Sequence, residues 1–205
     1  MRIRCRRVIR TIAISTMNDP LTLQLASTSP RRREILESLG LEFSVVHVDV
    51  DESPLSGETP GEMVVRLAVA KAEAADVGPA SVVIAADTAV VVDDRALGKP
   101  VDQDDCLAML EALSGRIHKV LTGVAVHAAG QARTALSETD VYFREIGRDE
   151  ALAYWQSGEP CDKAGAYAIQ GLGGAFVERI EGSYSGVVGL PVFETMSLLK
   201  QAMKP

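Results

Sequence analysis

Hydrophobic and polar positions change period several times along the chain, and each change marks an element. Leu21 to Ala26, with Thr22 and Gln24 alternating into the apolar run, reads as a strand that Ser27 to Pro30 break. A helix is predicted to follow at once. Ser29 is placed as its N-cap, Pro30 as its first residue, and Ile35, Leu36 and Leu39 form a stripe that Gly40 stops. Phe43 to Val48 is a β-rich run and Pro54 to Pro60 a loop. Glu62 to Ala75 then has a helical period, with Met63, Leu67, Ala70 and Ala74 on one face and Val64, Ala68, Lys71 and Ala75 on the next. Lys71 thus falls on an apolar flank, where a lysine commonly snorkels to water. Val82 to Ala86 is the pattern of a strand buried on both faces, expected to deliver Asp87 and Thr88 at its carboxyl end, where α/β proteins place ligands.

Ala89 to Val92 and Arg95 to Leu97 read as a hairpin across Asp93 and Asp94. Asp102 to Leu113 reads as a helix whose first turn carries Asp102, Asp104 and Asp105, the sign that the helix dipole favours, and Ser114-Gly115 ends it. Two long strands, Ile117 to His127 and Gln131 to Phe143, are joined by Ala128 to Gly130. After a short helix, Asp149 to Gln156, comes the glycine-dense run from Ala164 to Pro191. It reads as ordered turns carrying short strands at Phe176 to Ile180 and Tyr184 to Val188, before a final helix, Val192 to Met203. The whole is mixed α/β, with no internal repeat.

Charge sharpens this picture at two places. Arg31, Arg32 and Arg33 occupy a helical first turn, where the dipole already contributes positive partial charge, and an anion placed there would reverse the conflict. Backbone N–H groups, the Ser27, Thr28 and Ser29 hydroxyls and guanidinium forks would converge on one phosphate-sized spot; the plain alternative is a solvated basic turn. The other place is the amino terminus, where Arg2, Arg4, Arg6, Arg7 and Arg10 stand without an acid. Residues 1–20 are read as an N-terminal extension, disordered or upstream of a start at Met17, and residues 21–205 as the folded domain.

The 205 residues, 47% hydrophobic, suffice for one domain or two lobes with a shared core. A net charge of −7 argues against broad nucleic-acid binding and leaves room for a small polyanion met by local cations. No transmembrane run is present, so no membrane partner is expected. Cys5, Cys106 and Cys161 lack CxxC or metal spacing and read as reduced thiols of a cytoplasmic protein. His118, alternating with Val120 and Thr122, reads as structural. Gly98-Lys99 lacks the glycine spacing and following Ser or Thr of a phosphate loop of the Walker type. What remains are cations at Arg31, Arg32, Lys71 and Lys99 and carboxylates at Asp49, Asp51, Glu52 and Asp87. Hard oxygen ligands suit Mg²⁺ or Mn²⁺ and the cations suit phosphate chains, so a nucleotide or phosphate-ester site is the expected chemistry.

Seven short motifs occur in order: SxSPRR at Ser27 to Arg32, DE at Asp51-Glu52, RLAxxKA at Arg66 to Ala72, ADT at Ala86 to Thr88, GKP at Gly98 to Pro100, LSGxxHxVxTGV at Leu113 to Val124, and the run Lys163 to Pro191. Together they resemble the Maf family over Leu23 to Leu199. KAGAYAIQGLGG and IEGSYSGVVGLP look like its subgroup acting on dTTP and UTP. The resemblance implies an inosine-triphosphatase-like fold: a mixed β-sheet with flanking helices, in two lobes around a central cleft. It also implies a nucleoside triphosphate pyrophosphatase that releases the monophosphate and pyrophosphate, uses a divalent cation, and is often a homodimer. Carried over by position, Asp87 is the proton acceptor, and Arg31, Thr88 and Gln170 are linked to substrate choice. Glu52, Arg32, Lys71 and Lys99 line the cleft, with Ser27 and Ser29 beside the phosphates. Glu52 is the candidate metal ligand, and Asp87 is either a second ligand or the base. The family's association with septum inhibition leaves a second reading, a nucleotide-binding regulator of cell division with little turnover.

Overall fold

The computed structural model describes residues 22–75, 78 and 80–203, together with the backbone of two short paired strands, β1 (Ser15–Thr16) and β2 (Asp19–Pro20). Expectations for the rest of the extension, Cys5 included, fall outside the described residues.

A seven-stranded mixed sheet organises the chain. Its strands are β3 (Thr22–Leu25), β4 (Ser44–Val45), β5 (Ser81–Val92), β6 (Arg95–Leu97), β7 (Ile117–Ala128), β8 (Gln131–Phe143) and β9 (Val177–Glu181). β3 pairs in parallel with β4 and β5, whereas β5–β7, β7–β8, β8–β9 and β5–β6 are antiparallel. Helices α1 (Pro30–Ser38), α2 (Pro60–Ala74), α3 (Gln103–Leu113), α4 (Arg148–Gln156), α5 (Tyr184–Val188) and α6 (Val192–Ala202) flank it. Among the described residues no helix is long and apolar enough to cross a membrane.

Strand alternation sorts the core into layers. On one face Val82, Ile84 and Ala86 of β5 pack with Leu36 of α1 and Leu198 and Leu199 of α6. Further along that face Val90 and Val92 pack with Leu110 and Leu113 of α3 and Tyr154 of α4. Thr88 lies between these two clusters. On the opposite face Val83, Ala85, Ala89 and Val91 pack against α2 through Ala68, Ala72 and Val64. The two halves of the molecule therefore share their sheet, and on the α2 face one helix spans both clusters.

β5 is longer than its pattern predicted, because its apolar run continues past Asp87 and Thr88 instead of ending there. The pair is mid-strand, and what exposes it is the strand's neighbours. On one side the ladder with β3 ends at Leu25↔Ile84, and the ladder with β6 begins at Val90↔Leu97. Asp87 and Thr88 fall in the gap, partly exposed within an otherwise buried strand. Tyr184 to Val188 is likewise a short helix and not a strand: Ser183 Oγ caps it by accepting from Gly186 N–H at 3.0 Å. Phe43 to Val48 contributes only the two residues of β4.

Candidate active site

The carboxyl end of β3 turns directly into α1 beside that gap. Ser29 is the N-cap and Pro30 opens the helix, but the Ser29 side chain makes no capping bond. Ser27 replaces it locally: its Oγ accepts the Ser29 N–H at 3.2 Å and Arg32 Nη1 at 3.1 Å. Arg32 also donates from Nε to the Gly189 carbonyl at 2.8 Å and from Nη2 to Thr88 Oγ1 at 3.3 Å. Burial pushes its guanidinium below its ordinary value, and nearby Asp87 opposes that. Among the described residues Arg31, one residue earlier, has only an ion pair with the exposed Asp162, at 3.7 Å. Arg33 faces solvent, so the basic turn divides into one fixed, one loosely held and one solvated cation.

Lys71 does not snorkel to water. Its ammonium lies 2.6 Å from Asp87 Oδ1 and 2.6 Å from Glu52 Oε1, with its side chain 13% exposed. Gly123, the partner of Asp87 across the β5–β7 ladder, explains how the helix comes so near. A Cβ at Gly123 would stand 2.4 Å from the Val64 carbonyl oxygen, so only glycine lets α2 lie this close to the sheet. Lys71 follows Val64 by about two helical turns and so projects along the same side, toward Asp87. Hydrogen bonding to Lys71 holds the Glu52 carboxyl below its usual range, with Lys99 and Arg32 adding to the effect against the cost of burial.

These groups line one cleft of about 720 Å³. Ser27, Ser29, Arg31, Arg32, Glu52, Lys71, Asp87, Thr88, Lys99 and Gln170 all reach it, so Arg31 and Asp87 face the same space. Lys99 and Gln170 sit exposed on the rim. Glu159 pins the glycine-rich loop, accepting from Leu172 N–H, Gly173 N–H and the Tyr154 hydroxyl at 2.9, 2.9 and 2.8 Å. Asp162, outside every motif, and Lys163, the first residue of the last motif run but given no site role there, line the same cleft and pair with each other. Their only local signal is two opposite charges beside a turn. His118 is structural, as its strand position predicted: buried, it shares a hydrogen bond of 2.9 Å with the Tyr167 hydroxyl.

No group of three or more His, Cys, Asp or Glu side chains is placed to hold a metal among the described residues. Glu52 and Asp87 converge on one point, however, since both contact the same ammonium. Two carboxylates facing a wall of arginines suit Mg²⁺ or Mn²⁺, which is commonly held by one or two carboxylates plus substrate phosphates.

A model of one family, described as Maf-like protein, matches residues 22–202. The chain belongs to the Maf family. A dTTP/UTP pyrophosphatase of Vibrio parahaemolyticus is 50% identical over 187 residues, covering 90% of this chain and 99% of that protein. A protein of the same name from Saccharophagus degradans is 52% identical over 182 residues (86% of this chain, 87% of that protein). A third, from Hahella chejuensis, is 53% identical over 183 residues (87% and 91%). Among solved structures, a HAM1 protein from Coxiella burnetii has 18% identity and a TM-score of 0.47 over 89% of this chain and 100% of that one, a likeness too slight to decide anything. The Maf match and the mixed sheet with flanking helices agree with the fold expected from the motifs.

Proposed function

We propose that this Maf protein hydrolyses dTTP and UTP to the monophosphate and pyrophosphate, by attack of water on the α-phosphorus. The observation that carries the reading is Asp87, a carboxylate with its side chain 15% exposed, paired with Lys71 in a cleft whose other wall carries Arg31 and Arg32. With Glu52 available to hold a cation, a site built only to bind a triphosphate gains nothing from a second, partly buried carboxylate, whereas one placed there can take the proton of an attacking water. Relatives about half identical over most of this chain bear the name of that activity.

In this reading Arg32, Arg31 and Lys99 bracket the phosphate chain, and Ser27, whose oxygen already accepts twice, turns its own proton toward a phosphate oxygen. Lys71 occupies Asp87 Oδ1 and thereby leaves Oδ2 to take a proton from water. As that proton leaves, the water oxygen bonds to the α-phosphorus and the bond to the bridging oxygen of the β-phosphate breaks, releasing pyrophosphate. Glu52 would hold a divalent cation, which neutralises charge on the phosphates when bound. Asp87 is assigned the base role because a carboxylate bound directly to metal is a poor base. Gln170, offering a donor and an acceptor, complements the N3–H and O4 edge that uracil and thymine share. A cytoplasmic location and a homodimer belong to the same reading, the substrate being a free pyrimidine nucleotide and neither nucleic acid nor membrane.

Incubation with dTTP or UTP and Mg²⁺, with products identified, tests this. Monophosphate and pyrophosphate are expected, and Asp87→Asn should lower turnover by about 10³-fold. Stoichiometric binding without product would favour a regulator of cell division, and orthophosphate with diphosphate would indicate a terminal phosphatase.

A further inference from the structure

Thr122 lies in the LSGxxHxVxTGV stretch without a role in the mechanism above. It is wholly buried, on β7, directly opposite Thr88. Its hydroxyl donates to the Gly186 carbonyl at 2.8 Å, and a carbonyl can only accept. A hydroxyl has a single proton. In the 3.1 Å contact between the two threonines, Thr122 must therefore accept and Thr88 must donate. Thr88 Oγ1 then has only lone pairs left to offer, and Arg32 Nη2 donates into them at 3.3 Å. The direction of the chain is fixed from guanidinium to Thr88, to Thr122, to Gly186.

The far end of this chain is firmly seated. Gly186 lies in α5, and a Cβ at that position would stand 3.0 Å from Ser137 Oγ on β8, so the helix rests closely on the sheet. Gly189, just past α5, holds Arg32 Nε directly. Two carbonyls of one short segment thus grip one guanidinium, the first through two hydroxyls and the second without an intermediary.

We propose that Thr122 is a positioning residue of the phosphate-binding wall. By accepting the hydrogen bond of the Thr88 hydroxyl it leaves Thr88 only lone pairs toward the cleft, and Thr88 then orients Arg32 instead of presenting a donor to the substrate. Thr88 affects substrate handling through Arg32. The inference rests on the reading of this cleft as a triphosphate site.

The test compares Thr122→Val, Thr122→Ser, Thr88→Val and the double valine variant by two readouts: the Kd for inorganic triphosphate by calorimetry, and kcat/KM for dTTP. Thr122→Val keeps the shape and removes both hydrogen bonds, so inorganic triphosphate should bind about tenfold more weakly. Thr122→Ser, which restores the hydroxyl, should recover most of that loss. Because Thr122 acts through Thr88, the double variant should bind no more weakly than Thr88→Val alone. Undiminished affinity in Thr122→Val, or losses that multiply in the double variant, would overturn the proposal. Should the valine protein not fold, Thr122→Cys, a weaker donor of similar size, must bind more weakly than Thr122→Ser; equal affinities refute the role. A wild type that binds inorganic triphosphate but leaves dTTP intact removes the proposed activity, while the binding series still decides Thr122.

Discussion

On the α2 face of β5, Asp87 meets an ammonium that it shares with Glu52, whose side chain is 60% exposed. On the other face Thr88, the next residue, enters a chain of hydrogen bonds with one permitted direction, ending on a buried carbonyl. The first arrangement is a set of charges around a point, one of them at the surface, and it can reorganise when substrate and cation arrive. The second has no freedom to reverse. Groups that bind charge gain most from being fixed in advance, because nothing then has to reorient as the reaction proceeds. Groups that exchange a proton must instead be reached by water. In the proposed reaction two adjacent residues of one strand would serve both needs, because alternation sends them to opposite faces while the gap between β3 and β6 opens both to the same cleft.

The α2 side should break most severely at Gly123. Alanine there must displace the backbone at Val64, and overpacking against a helix backbone falls at the upper end of such costs, about 3 kcal/mol. The shift should also carry Lys71 away from Asp87, so denaturant unfolding and kcat should both fall in Gly123→Ala. A variant with unchanged kcat and lowered stability would show that the close approach serves packing alone.

The Thr88 side continues into the far half of the sheet through His118, and there pH is the probe. Burial pushes the His118 imidazole down to about 4 from an ordinary value of 6.5. Below 6.5 the unfolded chain takes up a proton that the folded one refuses, so this residue's contribution to stability is whole above 6.5 and is lost as pH falls toward 4. The slope is about 1.4 kcal/mol per pH unit, or roughly 3 kcal/mol over the window. Urea unfolding from pH 7 to 4.5 should show that extra loss in wild type relative to His118→Asn, which titrates no imidazole at that position. Parallel curves would mean that the folded protein admits the charge.

Much of this organisation could be read from local pattern, and the exceptions share a cause. The β7–β8 hairpin was evident because alternation over Ile117 to Phe143 is broken only at Ala128 to Gly130, and Ala129 and Gly130 indeed take positive φ. The β5–β6 turn at Asp93 and Asp94 is of the same kind. Tyr184 to Val188 has the composition of a strand but is a helix, since its shape is set by Gly186 against Ser137 and by the cap from Ser183, contacts distant or too short to give a period. Lys71 has the pattern of a surface lysine because the helix period cannot tell that Gly123, far along the chain, lets that flank lie against Asp87. Family motifs named most of the cleft residues. Asp162 stands outside them, one acid among many, and Thr122 is a motif letter whose part depends on a hydrogen bond's direction, which no spacing shows.

The finest distinction is between Arg31 and Arg32, adjacent cations in one helical turn. Arg32 spends three N–H groups on Gly189, Ser27 and Thr88, and a planar fork satisfies all three at once. Lysine keeps the charge but cannot match that geometry, so Arg32→Lys should lower kcat/KM by about 10²-fold. Arg31 is held only by a long pair to an exposed carboxylate, an interaction of a kind that contributes little. Arg31→Lys should therefore cost only about threefold, and that loss should shrink in high salt, where exposed charges are screened. Steady-state kinetics at two ionic strengths measures both. If the two substitutions cost the same, fixed placement has no special value in this wall, and charge alone accounts for how it holds phosphate.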